Sequence, residues 1–523
     1  MSLAYSVSPR PAHIICVILL AIGSAFAQEP AAPAADAETL QDSIRELREQ
    51  VRELRSAISE VKSESARYRE ETLALRQELQ QARSLWASQK VTPQSAQAES
   101  VAADSTSRDQ SNIPQRVGKL EEDQQLLAGK IDDQYQTKVE SASKYKVRFS
   151  GIVLFNLAGN SGHVDDIDVP MLALPNDTFN HGSFTGTLRQ SELGFEAFGP
   201  AVLGARSSAN VQFDFAGGSP ADLNGATTGI ARLRLGTVNL DWANTSLVGG
   251  QDAVFFSPNS PTSFATLAIP ALAYSGNLWS WTPQLRLEHR FSVAETSKII
   301  LQGGILDPLT GEPPNGESFQ FYRVPQAGES TRQPGYGTRV AWSHPASGDA
   351  ITLGVGAYYS RQNWGFSRDV NAWAGTADWS VPLGRRFAVS GEFYRGRAIG
   401  GLGGSLGRSV IWDRPLSDPA SIVLPLNSIG GWTQVKFKAA PKLEFNGAFG
   451  QDSTFASDLK ALANEFSYLD ANLARNRAFF GNVIYRPRSD LLFAFEYRRL
   501  RTADAYGMNQ NVNHLNLSMG VLF

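Results

Sequence analysis

The sequence predicts an all-β fold: a 16-stranded antiparallel transmembrane β-barrel with an N-terminal periplasmic α-helical coiled coil ahead of it. Three observations carry this. The final stretch, NHLNLSMGVLF, alternates strictly, with Leu515, Leu517, Met519, Val521 and Phe523 on one face and His514, Asn516, Ser518 and Gly520 on the other. The same period of two recurs from Lys144 onward, each segment having one apolar and one polar face. The connections between these segments alternate short and long, as the two rims of a membrane barrel require.

At the N-terminus, Arg10 and His13 precede an apolar run from Ile14 to Ala25. Ala25-Phe26-Ala27 then supplies small residues at signal-peptidase spacing, so residues 1–27 read as a signal peptide. Cys16, the sole cysteine, falls inside it, so the mature chain has no thiol, which removes disulfides and cysteine-based metal or redox chemistry. Residues 28–86 are expected to form the coiled-coil arm: Ile44, Val51 and Ile58 fall at a, and Leu40, Leu47, Leu54 and Val61 at d. Arg and Glu fill the outer positions, leaving one apolar seam for a partner helix, whose number the pattern leaves open. Residues 87–116 are rich in Ser, Ala, Gln and Asp and read as a disordered linker. Residues 117–140, with Val117, Leu120, Leu127 and Ile131 in register, form a short helix, and 141–523 the barrel.

In the first wall segment, KYKVRFSGIVLFN, Tyr145, Val147, Phe149, Val153 and Phe155 oppose Lys144, Lys146, Arg148 and Ser150. Sixteen such strands are expected, near 144–157, 187–198, 205–215, 229–242, 245–254, 281–291, 297–305, 336–343, 350–361, 370–381, 386–396, 429–438, 442–451, 476–486, 490–501 and 512–523. Connections at 243–244, 344–349, 382–385, 439–441 and 487–490 are short, whereas those at 158–184, 217–228, 255–280, 306–335, 397–428 and 452–475 are long. Both ends of the barrel then lie at the rim of short turns. A parity shift near Gly236 predicts a bulge.

Composition narrows the function classes. A net charge of -3 does not call for a nucleic-acid partner. Mean hydropathy is -0.22, and no apolar run near 18 residues follows the N-terminal one, which excludes helical spans. The six histidines are scattered without metal-ligand or triad spacing. His514 and Ser518 share a face, but about 13 Å of strand separates them. No catalytic residue, metal or cofactor is expected.

The polar faces carry the candidate pore-lining charges. The basic set is Arg148, Arg206, Arg232, Arg234, Arg286, Arg290, Arg339, Lys436, Lys438 and Arg498; the acidic set is Glu192, Glu196, Asp214, Glu288, Asp378, Glu392, Glu444 and Glu496. Opposed rows of charge across a wet lumen set a field that filters solutes, and the basic excess predicts anion preference. Each of these charges can instead pair along the wall and only hold the barrel. The uncharged connection Phe255–Ser280 is expected to fold inward and narrow the lumen, and the Gly-rich Ile399–Leu406 to form an outer vestibule. Trp242, Trp279, Trp281, Trp342, Trp373, Trp379 and Tyr485 are expected in the interfacial girdles, against outer-membrane lipid.

Five stretches resemble the DcaP-like outer-membrane porins: KYKVRFSG at 144–151, RQSELGFEA at 189–197, VGGQ at 248–251, PQLRLE at 283–288 and GEFYRGRAIGGLGG at 391–404. The resemblance covers most of 117–523. It implies a homotrimer in the outer membrane of a Gram-negative-type bacterium, admitting small organic anions such as dicarboxylates, with the N-terminal arm in the periplasm. Terminal Phe523 likewise resembles the signal read by the barrel assembly machinery. The constriction segment carries no Arg or Lys, so no binding site transfers onto it and any selection falls to the wall. Two other readings stay open: a phosphate-selective porin, and a plugged barrel whose coiled coil tethers the envelope to peptidoglycan.

Overall fold

A computed structural model describes residues 146–523, apart from 177, 219–228, 295, 313–322, 347–348 and 463–471. The signal peptide, coiled-coil arm, linker and short helix expected over 1–140 lie outside the described residues.

In chain order the strands are β1 (Lys146–Asn160), β2 (Ser183–Thr187), β3 (Glu192–Val202), β4 (Ala205–Asp214), β5 (Arg232–Asp241), β6 (Thr245–Ala253), β7 (Trp281–Ser292), β8 (Lys298–Leu306), β9 (Gly335–Ala346), β10 (Asp349–Asn363), β11 (Asp369–Leu383) and β12 (Phe387–Arg397). A small hairpin, β13 (Val410–Trp412) with β14 (Val423–Pro425), stands apart from the wall. The wall resumes with β15 (Asn427–Ala440), β16 (Leu443–Thr454), β17 (Leu473–Arg488), β18 (Leu491–Asp504) and β19 (Asn509–Leu522). Its sheet has 17 stretches, of which β2 and β3 share one position opposite β1, so sixteen strands run round the barrel. All are antiparallel, and β19 pairs back onto β1 from Ile152↔Leu522 to Asn160↔His514. Closure leaves no unpaired edge.

The alternation sorts as the sequence requires. Leu517 is 55% exposed on the outside, whereas its neighbour Asn516 is 1% exposed on the inside. An outward belt of bare Leu, Val and Phe is far larger than water tolerates and is stable against lipid chains. At the turn rim the belt ends in aromatics: Phe387 stacks on Phe437 at 4.6 Å, Phe437 on Phe445 at 6.2 Å, and Phe149 meets Phe523 at 5.1 Å. Toward the loop rim it ends in Tyr336, Tyr359, Trp373 and Phe479. Trp279 and Trp281 are not part of either girdle; they meet each other at 5.3 Å, with Trp279 packed on Tyr274 and Trp281 under two arginines.

Three local departures have physical causes. The second wall strand breaks at Leu188–Ser191 because Gln190 turns its amide to the lumen, while Ser191 Oγ accepts from Leu154 N in place of a ladder bond. The bulge near Gly236 sits at Arg234: Gln212 faces Leu235 and Phe213 faces Leu233, so Arg234 is the extra residue. Two loop-rim connections are short, Asn363 to Asp369 and Asp504 to Asn509, so that rim is not uniformly long.

Candidate functional site: the lumen and its constriction

The connection from Val254 to Ser280 leaves β6 and turns into the barrel. Pro258, Pro261 and Pro270 keep it out of the sheet, since proline has no N–H to give a ladder. Lacking charge, it buries Phe256, Ala265, Ala268, Leu272 and Leu278 inside the wall, against Tyr358, Tyr394, Trp432 and Phe480. Phe256 stacks on Tyr358 at 5.4 Å.

Its backbone is met by inward side chains on strand after strand. Thr376 on β11 donates to Phe256 O at 2.5 Å, and Glu392 on β12 accepts from Asn259 N at 2.7 Å and from Ser257 Oγ. Gln434 on β15 accepts from Thr262 N at 2.6 Å, and Asn482 on β17 donates to Thr262 O at 2.8 Å. Glu496 on β18 accepts from Ser263 Oγ at 2.6 Å, and Asn156 on β1 donates to Phe264 O at 2.9 Å. Gln190 donates to Ala265 O at 2.9 Å, and Arg232 on β5 to Ala268 O at 2.8 Å. The segment therefore follows the wall from β11 round through β1 to β5. Each bond satisfies a polar atom that the loop would otherwise bury unpaired.

The return limb is wedged at Gly276, which has φ +97°; a Cβ there would stand 2.3 Å from Gly431 O and 2.5 Å from Gln451 O. Gly276→Ala is expected to lift this limb off β15 and β16 while the barrel stays closed. Stability should fall by roughly 1–3 kcal/mol in thermal unfolding, with noisier single-channel current. Unchanged melting and quiet current would count against the wedge.

The predicted charges all fall on inward positions, yet most meet one another. Arg148 pairs with Glu196 at 3.3 Å, Arg232 with Asp214 at 2.6 Å, Arg286 with Asp252 at 2.7 Å and Lys436 with Glu444 at 3.4 Å. Arg339 pairs with Asp378 at 2.6 Å and Arg498 with Glu496 at 2.7 Å, while Arg234 contacts Glu192 and Arg290 contacts Glu288. Arg232 and Arg234 also lie over the Trp281 ring, 5.0 and 4.8 Å from its centroid. Arg339, Asp378, Glu392, Glu496 and Arg498 are buried beneath the loops instead of facing open lumen. Arg206 and Lys438 have no acidic partner among the described residues.

Beneath the constriction, on the side of the short turns, lies a cavity of about 370 Å³ lined by Asn259, Ser260, Asp349, Arg385, Arg386, Gln434, Lys436 and Lys438. Sequence reasoning missed Arg386 and the part that inward amides play in holding the segment, because its candidate set counted charges only. The signal was present as Asn and Gln recurring at inward parity, at Asn156, Gln190, Gln434, Asn446, Asn482 and Asn516.

At the loop rim, Ile399, Leu402 and Leu406 are buried, so this Gly-rich stretch packs as a lid layer and not as an open vestibule. Glu312 clamps the chain just after it, accepting from Ser409 N at 2.6 Å and Val410 N at 3.0 Å. Burial holds the Glu312 carboxyl above the ordinary range. His514 and Ser518 do not meet: His514 Nδ1 bonds Asn160 Oδ1 at 2.8 Å, and Ser518 donates to Asn516 Oδ1 at 2.8 Å.

No protein-family model and no curated protein matches the chain. Among solved structures it is similar to the outer membrane channel DcaP of Acinetobacter baumannii, with TM-score 0.56 and 15% identity over 74% of this chain and 100% of that one. It also aligns with the anion-selective porin from Comamonas acidovorans, at TM-score 0.47 and 11% identity over 73% and 100% of the two chains. A third alignment is to OprB of Pseudomonas putida, at TM-score 0.42 and 12% identity over 72% and 94%. At such identities the first likeness is one of fold, and by it the chain is a sixteen-stranded barrel of the DcaP porin fold.

Proposed function

We propose that the protein is an outer-membrane porin, a passive and anion-preferring channel for small organic anions such as dicarboxylates. It acts without catalysis, as a homotrimer whose short turns and N-terminal arm face the periplasm. The observation that carries this reading is the combination of an outward apolar belt with a lumen narrowed by one inward segment above a basic cavity. Paired wall charges cancel most of each other's field. The residual field comes from cations that form no ion pair among the described residues, Lys438 and Arg206 on the wall and Arg386 in the turn after β11, which outweigh Asp349 in the cavity lining. A low-dielectric wall concentrates such a field in the aqueous path, which raises the local concentration of anions and repels cations. The fold likeness to a channel supports the same reading.

Reversal potentials across a planar bilayer under a KCl gradient test it. Wild-type protein is expected to pass chloride over potassium, and Lys438→Gln with Arg386→Gln to move the permeability ratio about twofold or more toward potassium. A dicarboxylate added on the turn side should reduce chloride current in the wild type more than in that variant. Absent conductance or clear potassium preference in the wild type would overturn the proposal.

A further inference from the structure

Inside the barrel most arginines meet a carboxylate, but on the outside one group does not. Arg475 and Arg477 on β17, and Arg499 and Arg501 on β18, take the outward parity, since their strand neighbours Asn476, Ala478, Arg498 and Leu500 are buried inside. Arg477 stands directly opposite Arg501 in the ladder. None of the four forms an ion pair among the described residues. Arg477 donates to Gln451 Oε1 at 2.5 Å and Arg501 to Asn509 Oδ1 at 3.3 Å. The flanking outward positions are again neutral and polar: Gln451 and Ser453 face Arg477 and Arg475, while Asn513 and Asn511 face Arg499 and Arg501. By contrast, the outward Arg361 on β10 has Asp369 at 2.8 Å.

Height along the wall gives the patch its meaning. The outward apolar face of these strands ends at Phe449, Phe479, Tyr497 and Leu515, and the patch takes the next positions toward the loop rim. The Phe479 and Tyr497 rings, 5.8 Å apart, lie just below it. This is the level at which lipid chains give way to head groups. Like charges opposed across a ladder repel, so four arginines among amides form an arrangement that an outside anion would stabilise. Guanidinium forks match phosphate oxygens in pairs, and neighbouring amide N–H groups can complete the shell.

We infer that this face of β16–β19 binds phosphomonoester head groups of lipids in the leaflet at the loop rim. The inference rests on the barrel's placement in a membrane and is independent of whether the channel prefers anions. It is tested by native mass spectrometry of the full-length detergent-purified protein, with diphosphoryl lipid A as probe beside its fully dephosphorylated form. The phosphorylated lipid is expected to be retained at least about tenfold more tightly, and the quadruple variant Arg475→Gln, Arg477→Gln, Arg499→Gln, Arg501→Gln to lose that preference. Arg361→Gln should keep it. The pair Arg477→Gln and Arg501→Gln serves if the quadruple variant does not fold. Equal retention of both lipids, or unchanged binding by the variants, overturns the inference. Full displacement by millimolar inorganic pyrophosphate would assign the site to free phosphate, and a changed oligomer mass with lipid binding intact would assign it to a subunit contact; either result also overturns it.

Discussion

Replacing residues 257–278 with a short glycine–serine turn is expected to raise single-channel conductance by about threefold or more and to flatten discrimination between solutes. The segment lies against inward side chains from Thr376 on β11 to Arg232 on β5, so it fills cross-section that the wall alone would leave open. The wall should survive, because its closure depends on ladder bonds between strands and not on the segment. Stability nevertheless drops, since Tyr358, Tyr394, Trp432 and Phe480 lose their apolar cover, each worth about 1.5–3 kcal/mol at most. Conductance equal to wild type in the shortened protein would place the constriction elsewhere.

The second large effect is expected at a buried ion pair. Arg339 Nε and Nη2 donate to the two oxygens of Asp378 at 2.9 and 2.6 Å, Nη1 reaches Gln302 at 3.1 Å, and the two side chains are 7% and 1% exposed. Space for this pair comes from Gly354, where a Cβ would stand 2.3 Å from Asp378 Oδ2. Asp378 is also opposite Glu392 in the ladder, so removing the guanidinium leaves two carboxylates side by side. Arg339→Ala should therefore cost about 3–5 kcal/mol, read as an earlier loss of the heat-modifiable band in thermal unfolding. Arg339→Leu combined with Asp378→Leu should recover most of that loss, because neither member of the pair is then left buried without the other. Additive losses in the double variant would mean that the pair is not coupled.

Particular residues show how far the chain could be read unaided. Leu515 to Phe523 announced their side of the wall, because a strand's side chains alternate whatever it pairs with. A parity slip near Gly236 was legible, but Arg234 as the extra residue and its contact with Glu192 were not, since these depend on the register of β5 on β4. The 255–280 segment was legible as an inward fold from its missing charge. Its route was not, because the side chains that hold it lie far off in sequence: Glu496 is 233 residues from Ser263, and Gln434 is 172 from Thr262. Trp279 and Trp281 misled because a tryptophan near a strand end fits a lipid girdle and a lumen stack equally well.

What the sequence by itself determined is the wall: sixteen strands, the face each turns to lipid, and the side on which both barrel ends lie. Period-two patterning and turn chemistry are local properties, written in neighbouring residues. What only the tertiary structure decided is the lumen: which charges cancel, which stay unpaired near the cavity, and which amides hold the constriction. Those outcomes depend on register between strands and on a segment crossing to walls hundreds of residues away. The outward arginines of β17 and β18 belong to both: the sequence places them on the lipid face, and only the folded wall sets Arg477 opposite Arg501 with no ion pair to either among the described residues.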